Sequence, residues 1–173
     1  MMFISLKKLA EDNFINVPKK PGVYIIKWIK NGKLETIPRF LKNDTYGVLY
    51  IGFAKGKGGL YERLKNLWES IGIAYELFKG KYTHTFAISL IYSGLISIIK
   101  LEEIFLWYKE MTASNAEDQE KAALLEYTRC YGEPPPLNLQ IGREYFLIIG
   151  IGKLGKSKFV VKLDTEIKNV LFS

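Results

Sequence analysis

Cysteine and histidine are almost missing from this 173-residue chain: Cys130 and His84 stand alone. A disulfide needs two thiols and a structural zinc site needs four ligands, so neither framework can be built. A single thiol suits a reducing compartment, and a cytoplasmic location is expected. Long apolar runs are missing too. The longest, Phe86 to Ile99, is interrupted by Ser89, Ser93, Gly94 and Ser97 and is too short and too polar to span a bilayer. No membrane association is expected. The opening residues, Met1 to Lys8, lack the apolar core and cleavage site of a secretory signal. Internal repeats, low-complexity tracts and a recognisable zinc or recognition-helix module are also lacking, so no sequence specificity toward a nucleic acid can be read.

What is there suffices for one core. Apolar residues make up 48% of the chain and the formal net charge is +7. That charge suits a nucleic-acid or anionic-membrane partner, and equally a lysine-rich solvated surface. The expected organisation is a lead-in over 1–20, a main domain over 21–139, and an extension over 140–173 packed on the same domain.

The stretch Gly47 to Arg63 organises the rest. An apolar strand, Gly47 to Phe53, runs into a glycine- and lysine-rich turn. An amphipathic helix follows over about 59–71, with Leu60, Leu64, Leu67 and Ile71 at helical spacing. Backbone N–H groups at a helix start favour an anion. Lys55, Lys57, Arg63 and Lys65 suggest a phosphate, with Lys79 and Lys81 further along. Tyr61, Trp68, Tyr75 and Tyr82 interleave with these cations as stacking surfaces or as core rings.

Before this stretch, Val17-Pro18 to Pro21 feeds a strand over Val23 to Lys30 that ends at the hairpin signal Asn31-Gly32. Lys33 to Tyr46 is a polar excursion with a short strand near Leu34 to Ile37. The two apolar strands are expected to pair antiparallel. After it, Phe86 to Lys100 has no clean period and reads as a buried helix, with a strand pair broken at Ser93-Gly94 as the alternative, and Glu103 to Met111 reads as a strand. Ser114 to Glu117 has the form of a capping box, opening a helix that stops at Gly132 before Pro134-Pro135-Pro136. Tyr145 to Ile151 and Phe159 to Leu163 suggest a C-terminal hairpin, with Lys153, Lys156 and Lys158 in or near its turn.

Gly22-Val23-Tyr24, Tyr50-Ile51-Gly52, Arg63 on the next helix, Leu124-Leu125-Glu126, and Pro135-Pro136-Leu137-Asn138 occur in that order. Together they resemble the GIY-YIG nuclease family over roughly residues 20–139. The resemblance implies an α+β fold, a small antiparallel three-stranded sheet flanked by helices. It also implies hydrolysis of DNA phosphodiesters with Mg2+ or Mn2+, with branched or damaged DNA among the candidate substrates. Tyr24 and Tyr50, on paired strands, would share one cleft, and one would take the proton of the attacking water. Arg63 would clamp the phosphate, and His84 would relay protons or touch phosphate. Asn138 would orient strand ends or a phosphate. Glu126 would hold the metal, its spacing to Asn138 (138 − 126 = 12) matching the family. Glu120 is the rival ligand.

The chain also departs from that pattern. Its two tyrosines lie far apart (50 − 24 = 26), so Lys30 to Tyr46 reads as an insertion, and Arg63 stands far from Gly52 (63 − 52 = 11). Phe53 and Leu67 stand where several members carry polar residues, so a base or relay is missing. A binding module that has lost turnover is therefore the alternative, and oligomeric state stays open.

Overall fold

The computed structural model describes residues 3–138 and 161–173. The elements run β1 (Ile4–Ser5), α1 (Leu6–Glu11), β2 (Gly22–Lys30), β3 (Lys33–Leu34), β4 (Val48–Ala54), α2 (Gly59–Ala74), α3 (Thr85–Tyr92), β5 (Ile104–Glu110), α4 (Ala113–Tyr131) and α5 (Thr165–Leu171). The architecture is α+β. One antiparallel sheet of five strands replaces the three expected. The lead-in contributes β1 and the excursion contributes β3, each only two residues long.

Strand β2 is central. It pairs with β4 in the register Tyr24↔Gly52 and Ile26↔Tyr50, and with β5 in the register Tyr24↔Tyr108. Both faces are covered, which is why these antiparallel strands read as near-continuous apolar runs rather than as alternating ones. Period two still sorts the side chains. Tyr24, Ile26, Tyr50 and Leu106 pack with Leu60, Leu64, Leu67 and Ile71 of α2 and Phe86 and Leu90 of α3. Val23, Ile25, Ile51 and Trp107 pack with Ala123, Leu124 and Tyr127 of α4 and Ile167 and Val170 of α5.

Several boundaries differ from expectation for local reasons. Helix α4 is capped by Thr112, whose hydroxyl accepts from Asn115 N–H, and not by Ser114. Glu117, the other half of the expected box, is engaged by Lys55 and Lys121. The helix does end at Gly132, in the left-handed region at φ 81°. Helix α3 stops at Tyr92 because Gly94 turns left-handed at φ 73°, and a short 3-10 turn over Leu95–Ser97 replaces the expected continuation.

The expected hairpin strand over Tyr145 to Ile151, its turn with Lys153 and Lys156, and Lys158, Phe159 and Val160 lie outside the described residues. Residues 161–163 are irregular and lead into α5, which the sequence reading missed. Its signal was Asp164, an N-cap whose carboxylate accepts from Glu166 and Ile167 N–H. Among the described residues, no helix is long and apolar enough to cross a membrane.

Candidate functional site

Pairing Tyr24 with Gly52 puts the two motif tyrosines side by side on one face of the sheet. Their rings stack at 6.1 Å between centroids. The motif glycine is what permits this. A Cβ at Gly52 would lie 2.5 Å from the Tyr24 hydroxyl and 2.6 Å from the Tyr50 ring. The glycine of the second tripeptide thus clears space for the tyrosine of the first.

His84 is the N-cap of α3, and its Nδ1 accepts from Phe86 N–H at 3.2 Å. An imidazole that accepts through Nδ1 carries its proton on Nε2 when neutral. Nε2 lies 2.7 Å from the Tyr24 oxygen, so it donates there. Burial first, and then the Arg63 charge, hold the His84 pKa well below 6.5, which keeps the ring neutral. Arg63 Nε donates to the same oxygen at 3.2 Å. The Tyr24 phenol therefore receives two N–H donors. Burial, with Tyr50 adding to it, raises its pKa well above 10, against the opposing pull of Arg63. Tyr24 is fully buried. Burial disfavours the Arg63 cation, but its interactions with Tyr24 and Tyr50 more than offset this. The guanidinium is fastened beside both phenols.

Two openings flank this cluster. One, of about 290 Å³, is bordered by Ala54, Lys55, Gly56 and Gly59 of the turn together with Glu62, Arg63 and Asn66. The other, of about 400 Å³, is lined by Tyr50, by Thr85, Ile88, Ser89 and Tyr92 of α3, by Glu120 of α4, and by Leu137 and Asn138. The Tyr50 hydroxyl is 3.1 Å from Thr85 Oγ1. Tyr50 is thus the phenol that meets the open cavity, while Tyr24 anchors Arg63 behind it.

The remaining expected site residues separate. Glu126 does not reach this cleft. Its carboxylate is held by Lys168 of α5 at 3.2 Å and by Arg129 at 4.0 Å. Glu120, on the stripe with Ala116, Ala123, Leu124 and Tyr127, is the α4 carboxylate that lines the cavity beside Tyr50. Asn138 does not point at a phosphate position. Its Oδ1 accepts from Ile51 N–H at 2.9 Å and its Nδ2 donates to Ile51 C=O at 2.7 Å. Leu137 N–H bonds Leu49 C=O, so residues 137 and 138 finish the outer edge of β4 as a strand would.

The helix-start cradle is also corrected. The first N–H groups of α2 are already satisfied: Gly59 by Gly56 C=O, Leu60 by Lys20 C=O and Tyr61 by Pro18 C=O. Gly59 is needed for that docking, since a Cβ there would lie 2.2 Å from Lys20 O at a φ of 54°. Lys65 leaves the cleft, pairing with Glu69 at 3.9 Å beside Trp68. Lys55 stays at the rim, bridged to Glu117 at 3.3 Å, and Lys57 is exposed on the turn.

Among the described residues, no three His, Cys, Asp or Glu side chains gather to hold a metal. Among the described residues, the cavity beside Tyr50 is lined by one carboxylate, Glu120. That fits a hard cation completed by water and ligand oxygens and does not fit a protein cage of zinc type. No protein family, curated protein or solved structure matches the chain, so the family resemblance rests on its own residues.

Proposed function

We propose that the cleft around Arg63 and Tyr50 hydrolyses DNA phosphodiesters in the manner of the GIY-YIG nucleases. One observation carries the reading: a guanidinium fastened beside two phenols, next to a cavity that the Glu120 carboxylate also lines. In-line attack on a phosphodiester needs neutralised oxygens, an activated water and a stabilised leaving group. Arg63 has five N–H donors, and its bonds to the phenols leave others for phosphate oxygens. Lys55 and Lys57 on the turn add positive charge along the backbone path. Tyr50 is the candidate to take the proton of the attacking water, because it is the phenol that meets the open cavity beside Arg63. Tyr24 and His84 act as positioning residues by fixing the guanidinium. Glu120 would hold Mg2+ or Mn2+, which when bound would neutralise charge on the phosphate and on the leaving oxygen.

A second reading, a nucleic-acid-binding module without turnover, draws support from Glu126. The carboxylate at the family spacing is tied to α5. One experiment separates the two. Supercoiled, linear and branched DNA are incubated with the protein and Mg2+, Mn2+ or chelator. Cutting should vanish with chelator and with Glu120→Gln, survive Glu126→Gln, and fall about 100-fold or more with Arg63→Ala. Salt-sensitive binding with no cutting under any condition overturns the hydrolytic reading and leaves the module.

A further inference from the structure

The 400 Å³ cavity has a wall that hydrolysis does not require. Thr85, Ile88, Ser89 and Tyr92 fall at offsets of zero, three, four and seven along α3, one face of the helix. The opposite face, Phe86, Ala87 and Leu90, is buried in the core. At the mouth stands Tyr92, 82% exposed, an aromatic ring left in solvent beside the candidate catalytic cleft. Ile88 and Leu137 supply apolar sides. Ser89 is only 4% exposed and lines the cavity, where its hydroxyl can both donate and accept a hydrogen bond. The site therefore offers a ring to stack on, apolar sides and a hydrogen-bonding group for a polar ligand edge.

We infer that this cavity receives one unpaired nucleobase, stacked on Tyr92 with its polar edge at Ser89, so that the preferred substrate is single-stranded DNA or an unpaired nucleotide beside the cut. The inference rests on the nucleic-acid reading of the same cleft. A base is flat and apolar on its faces and hydrogen-bonding at its rim, which matches the lining. Stacking on an exposed aromatic ring is sequence-tolerant, in keeping with a chain that carries no recognition module. A paired base is held inside its duplex and reaches such a cavity only after unstacking. Tyr50 belongs both to this cavity and to the Arg63 cluster, so a base here and a phosphate at Arg63 would belong to adjacent parts of one strand.

The test is fluorescence anisotropy of the full chain in chelator, with a short labelled single strand and with the same strand annealed to its complement. The single strand should bind more tightly than the duplex. Tyr92→Ala should weaken single-strand binding roughly tenfold while Tyr92→Phe stays within about twofold, and Ser89→Ala should give a smaller loss. Duplex binding should not respond to Tyr92→Ala. Because Tyr92 is on the surface, circular dichroism of the variants should match the parent. Equal affinity for both DNAs, an equal loss for both, or no loss in Tyr92→Ala overturns the inference, as does an absence of DNA binding. Binding in chelator needs no turnover. A Tyr92-dependent single-strand preference without cutting would therefore sink the hydrolytic reading alone, and cutting of duplex without any such preference would sink this one alone.

Discussion

Acid should loosen this protein through one side chain, and that side chain can be watched directly. His84 is the chain's single histidine. Protonating it would cost the Phe86 N–H bond at Nδ1 and would place a second cation beside Arg63 in a buried site. Its folded pKa lies well below 6.5 while the unfolded chain keeps the ordinary value of 6.5. The sign follows. Below pH 6.5 the unfolded chain takes up a proton that the folded chain refuses, so stability falls as pH falls and is flat above about pH 7. One proton is worth about 1.4 kcal/mol per pH unit, or roughly 2 kcal/mol between pH 6.5 and pH 5. The assay is urea unfolding at pH 7.5, 6.0 and 5.0 for the parent and for His84→Asn, which keeps an acceptor for Phe86 N–H but does not titrate. Subtracting the two removes the carboxylates, which titrate in both. The difference should shrink by roughly 2 kcal/mol at pH 5. In parallel, the lone pair of imidazole ring signals by NMR should not titrate in the folded protein down to pH 5. A stability difference that stays constant across the range, or an imidazole midpoint at or above 6.5, refutes the reasoning.

Asn138→Ala strips the hydrogen bonds from the buried Ile51 N–H and C=O; at about 1–3 kcal/mol for each unsatisfied group, a loss of roughly 2–6 kcal/mol is expected. Hydrogen exchange should show Ile51 N–H losing protection well beyond that of Ile25, and a loss under about 1 kcal/mol would count against edge completion by Asn138. Lys27, fully enclosed among Phe3, Tyr46 and the Ser173 carbonyl oxygen, is pushed down to about 8 by burial, with Asp44 opposing. Between pH 8 and 9.5 the folded chain releases this proton and the unfolded chain keeps it, so stability rises with pH. Relative to Lys27→Met, the parent should gain roughly 2 kcal/mol over that interval, and a constant gap would exclude the charge penalty.

The cluster was legible in part because it depends on strand periodicity. Tyr24 and Tyr50 lie on consecutive apolar strands, so antiparallel pairing with a period of two sufficed to bring them together. Arg63 lies beside Leu64 and three from Leu60, so the margin of the buried stripe already pointed it at the sheet. His84 needed more. Only the Ser70 side chain, bonded to Thr83 and His84 N–H, shows how the α3 start is held against α2. The glycine-rich stretch was misread because Gly52 and Gly59 serve close packing. Gly52 yields to the Tyr24 ring and Gly59 to the Lys20 backbone, and neither requirement is visible without the neighbours.

The amino-acid order by itself determined where the central strands β2, β4 and β5 and the helices α2 and α4 form, and that two phenols and a guanidinium would meet. Those follow from local periodicity and from the pairing of neighbouring strands. Tertiary packing alone decided which carboxylate joins them. Glu120 and Glu126 lie six residues apart on one helix, a third of a turn around its axis. Docking of α4 through Ala123, Leu124 and Tyr127 sets the rotation that leaves Glu120 at the cavity, and Lys168, 42 residues further along the chain (168 − 126 = 42), claims Glu126. No local pattern encodes that rotation, because it is set by the shape of the surface the helix lies on.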